Sequence, residues 1–83
     1  MKRDLMHKKN LLSRIERKPE IMFGKPVIKG TRLPVDLILE KLAYGYTEQK
    51  LEDEYPFITK EDIQAVLLYA SKAISLEEEI LLA

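Results

Sequence analysis

Apolar and polar positions change their spacing near residue 34. From Val35 onward the apolar residues recur with helical period. Val35, Ile38, Leu39 and Leu42 fall at i, i+3, i+4 and i+7, which predicts one apolar helix face. Pro34 suits the first turn of that helix, and Gly45 supplies a left-handed stop. Thr47 is a good N-cap for a second, short helix, with Glu48 favourable at the positive end of its dipole. Leu51 and Tyr55 share a face of that helix, and Pro56 ends it. Thr59 caps a third helix. Asp62 stands at the capping-box position, and Ile58 and Ile63 at the staple positions. Ile63, Val66, Leu67, Ala70 and Ile74 continue the stripe, while Leu68 and Tyr69 fall off it. The third helix is therefore expected to be apolar on more than one side. The last residues, "SLEEEILLA", either extend this helix or start another at Ser75.

Before residue 34 the pattern is extended. In "LLSRIERK", Ser13, Ile15 and Arg17 alternate with Leu12, Arg14 and Glu16, which predicts a short strand ended by Pro19. "KPVIKGTRLPV" predicts a second extended stretch. Val27 and Ile28 favour the pleat, and Pro26 suits the first residue of an edge strand. Gly30 can take positive φ, so residues 29–32 form a natural tight turn. The expected fold is mainly α: a three-helix, helix-turn-helix-like core preceded by a short N-terminal β-hairpin or extended segment. Residues 1–11 read as a basic arm, 12–74 as the single domain and 75–83 as an acidic and apolar tail.

Charge sharpens this picture. The 83 residues carry no net charge, yet residues 1–32 hold ten basic side chains against three acidic ones, a net +7. The remainder is −7. One reading is two solvated faces. The other is two partners of opposite charge, one polyanionic and one basic. Apolar residues make up 46% of a chain too short to bury much surface, so a homodimer is expected. Cysteine is absent, which excludes disulfides and thiolate metal sites. The longest purely apolar run, residues 65–70, is far short of a membrane span, and Lys8 and Lys9 interrupt any signal-peptide pattern. The expected location is the cytoplasm, with no membrane contact.

Catalytic patterns fail in turn. In "GKPVIKGTR", five residues separate Gly24 from Gly30 and Thr31 follows directly, so the P-loop spacing is not met. Glu52, Asp53 and Glu54 are consecutive on a helix and point about 100° apart. Glu48 and Glu52 share a face but read as solvated surface. His7, alone beside two lysines, reads the same way. No nucleophile is paired with a base, so no enzyme, cofactor, metal site or small-molecule substrate is expected.

The stretch from Arg14 to Ala70 resembles the small prokaryotic domain-of-unknown-function family 433. The resemblance rests on Gly24, Lys25, Pro26, Gly30, Thr31 and Arg32, then a helix, then a Tyr-Pro stop before a Thr-capped helix. It implies the helix-turn-helix core. It also implies an antitoxin of a type II toxin–antitoxin pair, which neutralises a PIN-like nuclease toxin and binds its own promoter DNA.

Within that frame the charge pattern places the DNA contacts. The third helix begins Thr59-Lys60-Glu61-Asp62, and two carboxylates there would repel phosphates. Arg14, Arg17, Lys25, Lys29, Thr31 and Arg32 are the expected nucleic-acid contacts. In the tail, Leu76, Glu77, Glu78, Glu79, Ile80 and Leu82 are expected to meet the protein partner: the acids a basic nuclease surface, the apolar residues a groove. The alternative is a dimeric interaction module with no nucleic-acid contact.

Overall fold

The computed structural model describes residues 10–82, with side chains placed through Glu77. The basic arm lies outside the described residues except for its last two. So do the side chains of Glu78, Glu79, Ile80 and Leu82.

Residues 10–12 are helical, and the Ser13 hydroxyl closes that turn by donating to the Asn10 carbonyl at 2.6 Å. The expected first strand is thereby cut down to β1, Ile15–Glu16. It pairs antiparallel with β2, Val27–Ile28, with Ile15 opposite Ile28 and Glu16 opposite Val27. Residues 29–34 then fold back along the other edge of β2. The Ile28 amide donates to the Leu33 carbonyl at 3.0 Å, and the Val35 amide to the Pro26 carbonyl at 2.9 Å. Both residues of β2 are thus buried, between β1 on one edge and the returning segment 29–34 on the other.

Three helices complete the domain. Helix α1, Val35–Ala43, starts after Pro34. It ends in a Schellman turn: Gly45 adopts φ +96°, Tyr46 N–H reaches the Lys41 carbonyl and Gly45 N–H the Leu42 carbonyl. Helix α2, Glu48–Glu54, is capped by Thr47, whose hydroxyl accepts from Lys50 N–H at 3.1 Å. Helix α3, Lys60–Leu82, runs unbroken through the tail, so the boundary expected at residue 75 falls inside it. Its start is a complete capping box. The Thr59 hydroxyl accepts from Asp62 N–H at 3.2 Å, and the Asp62 carboxylate accepts from Thr59 N–H at 2.9 Å. The aspartate fills the role usually taken by glutamate, and its other carboxylate oxygen accepts from Arg14 at 3.1 Å.

Ile38, Leu51, Ile63 and Val66 are fully buried and join the three helices. Ile28, Leu33 and Val35 extend the core under the hairpin, and Ile58 under the turn before α3. The stripe of α3 differs from the expected one. Tyr69 packs on the core, whereas Leu67 is 48% and Ile74 56% exposed. The buried arc of α3 is centred on Val66, not on Ile63, which rotates Leu67 outward.

A polar lock joins α1 to α2. Lys41 Nζ donates to Glu54 Oε1 at 2.9 Å and lies 4.7 Å from the ring centre of Tyr46. Lys50 covers the same ring at 4.3 Å. The hydrogen bond raises Lys41 above its ordinary 10.5 and lowers Glu54 below its ordinary 4.5, in each case against the opposing effect of burial.

Candidate nucleic-acid interface

The turn after β2 is built by Thr31 and Gly30. Thr31 N–H closes it on the Ile28 carbonyl at 3.0 Å, and Gly30 takes φ +79°. The Thr31 hydroxyl donates to that same carbonyl at 2.7 Å and accepts from Leu33 N–H at 3.0 Å. Its side chain is committed to the turn. Gly30 N–H is held by the Glu16 carboxylate at 3.1 Å. This scaffold projects Lys29 and Arg32, both exposed, and among the described residues neither is in an ion pair.

Lys29, Gly30, Thr31 and Arg32 share a shallow hollow of about 460 Å³ with Phe57, which is largely exposed in the turn between α2 and α3. Lys29 also lines a second hollow with Asn10, Leu11, Ser13, Arg14, Glu61 and Asp62. The hairpin turn therefore sits beside both the α2–α3 turn and the first turn of α3.

Asp62 changes the electrostatics of that corner. Its side chain is buried, with the residue only 8% exposed, and it receives Arg14 at 3.1 Å in addition to the capping bond. One of the two carboxylates expected to repel phosphate is thus turned inward and neutralised. Glu61 remains outside, next to exposed Lys60. The outward line of α3 is Lys60, Gln64, Leu67 and Ser71, spaced i, i+4, i+7 and i+11.

The six expected contacts separate into groups. Lys29, Thr31 and Arg32 lie together, but Thr31 acts through the backbone. Arg14 adjoins them, since its carbonyl accepts from Lys29 N–H at 2.7 Å, while its guanidinium is paired with Asp62. Arg17 and Lys25 lie at the opposite end of the strand pair. Arg17 Nε donates to the Gly24 carbonyl at 2.9 Å, and Lys25 pairs with Asp36 at 3.2 Å across an exposed surface. Phe57 was not among the expected contacts. Its neighbourhood depends on a contact that no local pattern encodes. Among the described residues, no group of three His, Asp or Glu side chains could hold a metal ion. No described helix is long and apolar enough to cross a membrane.

The chain is similar to a solved DUF433 member from Anabaena variabilis ATCC 29413. The TM-score is 0.71 at 26% identity, over 95% of this chain and 79% of that one. It is also 33% identical over 52 residues to the uncharacterized protein y4eO of Sinorhizobium fredii (strain NBRC 101917 / NGR234). That match takes in 63% of this chain, and spans 24% of the relative's length. Residues 15–70 match the family described as "Protein of unknown function (DUF433)", and with more than half of its length so matched the chain belongs to that family.

Proposed function

We propose that this protein is a DNA-binding regulator, acting as the antitoxin of a toxin–antitoxin pair with a nuclease partner. The observation that carries the DNA reading is the open pair Lys29 and Arg32, held on a rigid turn beside the start of α3. Cations outside every ion pair among the described residues can take backbone phosphates at little cost, whereas Arg14 and Lys25 must first leave Asp62 and Asp36. With Asp62 neutralised, the outward line of α3 can approach a groove. Lys60 and Gln64 offer hydrogen bonds to base edges, and exposed Leu67 suits a thymine methyl. Phe57 gives the same corner an apolar floor. The antitoxin role is supported by the resemblance described above and by the exposed C-terminal half of α3, which offers room for protein contacts.

The test is binding to the promoter fragment of its own operon at several salt concentrations. Lys29→Ala with Arg32→Ala should weaken binding to every sequence and reduce the slope of log K against log salt by about two units. Gln64→Ala should instead alter the preference between sequences. An unchanged slope in the double variant would refute the assignment. Absence of any salt-dependent binding by the wild type would favour the pure interaction module.

A further inference from the structure

The turn between α2 and α3 holds an aromatic ring out in solvent. Ile58 N–H closes this turn on the Tyr55 carbonyl at 3.0 Å, which puts Pro56 and Phe57 at its two central positions. Pro56 has the fixed φ that the first of these favours. Nothing in turn chemistry asks for phenylalanine at the second. Tyr55 packs against the core and Ile58 is buried in it, so both ends of the turn are anchored. Phe57 itself is 60% exposed. It meets Tyr55 edge to face, with ring centres 6.0 Å apart and planes at 66°. Such a pair leaves at least one face of the Phe57 ring uncovered.

That ring shares its hollow with Lys29, Gly30, Thr31 and Arg32. Two cations line the hollow, and among the described residues no carboxylate does. The second hollow differs, since there Arg14 and Lys29 stand with Glu61 and Asp62. A flat apolar ring between unpaired cations suits an anion that has a flat apolar part. In a duplex the faces of the bases are covered by their neighbours, so only an unstacked base can lie on the ring. We propose that the hollow takes one unstacked nucleotide of a DNA strand, its base on Phe57 and the flanking phosphates on Lys29 and Arg32. Stacking of this kind tolerates any base, because every base has a π-face. Phenylalanine has no polar atom with which to read a base edge, so the contact holds a nucleotide without selecting it. The inference rests on the DNA reading and narrows it: the strand that meets this turn has a base out of the stack.

Fluorescence anisotropy tests it, with the full chain and a labelled single strand of promoter sequence. The matching duplex and a strand of equal length built from abasic sites are run beside it. Phe57→Ala should keep the wild-type circular dichroism, because the ring is exposed, and should weaken single-strand binding about tenfold, the effect of losing one base–aromatic stack. The salt slope should stay the same, since no phosphate contact is lost, whereas Lys29→Ala should lower it by about 0.7. Phe57→Leu keeps an apolar side chain without a π-face and should lose as much as Phe57→Ala. Phe57→Trp should bind at least as tightly as the wild type. The chain has no tryptophan of its own, so quenching of that emission by the strand would report the stack directly. The abasic strand should bind the wild type and Phe57→Ala alike. Equal single-strand affinity of the wild type and Phe57→Ala, or full affinity in Phe57→Leu, would overturn the inference, and salt-dependent duplex binding would then leave the DNA reading standing. No binding of either form of DNA would overturn both. A Phe57→Ala chain that holds the strand like the wild type but releases the co-encoded nuclease would assign the ring to a protein contact and overturn the inference as well.

Discussion

The two halves of α3 are both rich in apolar residues, yet they live in different surroundings. Ile63, Ala65 and Val66 are wholly buried, whereas Ile74 and Leu76 are more than half exposed. Periodicity in a helix reports which residues share a face. It does not report what covers that face. In the first half the cover is α1, α2 and the hairpin, all from the same chain. In the second half no described residue buries the face, and Ser71 to Glu77 stand exposed.

Mutation can break this contrast. Ile63→Ala should cost roughly 2–5 kcal/mol in urea unfolding, the range for emptying a packed aliphatic site. Ile74→Ala should change stability by less than about 0.5 kcal/mol at concentrations where the chain is monomeric. Equal costs would mean that the two halves are not distinct. Asp62→Ala should cost about 2 kcal/mol, because it removes the cap and strands Arg14. The figure is kept below that of a deeply buried pair because the Arg14 side chain is 41% exposed. Thr59→Ala combined with Asp62→Ala should add little beyond the single change if the two act as one unit.

A control away from α3 gives the smallest effect. Glu54 has a lowered pKa, so its ion pair with Lys41 contributes fully above 4.5 and fades as pH falls through the folded-state value below that. Glu54→Gln should flatten this acid limb of the stability profile, and with it the alkaline limb that the same bond gives Lys41. Lys41 works in the opposite sense. Its raised pKa lends stability below 10.5 that is lost only at more alkaline pH. A Glu54→Gln effect as large as that of Asp62→Ala would show that the α1–α2 lock matters as much as the α3 cap.

Much of the architecture was legible because its signals are local. The Thr47 cap, the Thr59–Asp62 box, the Ile58 and Ile63 staple and the left-handed Gly45 each depend on residues within a few positions, and each forms. The rest depends on contacts distant in sequence. Arg14 and Asp62 are 48 residues apart, and nothing in either neighbourhood singles out that pairing among fourteen acids. Whether a basic residue is spent or open is likewise a property of the fold. That is why six expected contacts divide into Lys29 and Arg32, whose side chains have no partner among the described residues, and four others that do. Leu67 was placed inside because a stripe read from spacing alone can be rotated by about 60° without losing its period.

The loop between the strands holds Met22, Phe23 and Gly24 all in the left-handed region, at φ +49°, +58° and +81°. Only the last is suited to it by chemistry. A non-glycine residue held there costs of order 1 kcal/mol, and Phe23 recovers none of it through packing, since its ring is fully exposed. In an engineer's terms the turn is a reserve. Residue 23 is where this small domain could be made sturdier without touching its core. The corner that carries Lys29, Arg32 and Phe57 lies at the other end of the strand pair, so any stiffening there would leave the proposed DNA face as it is.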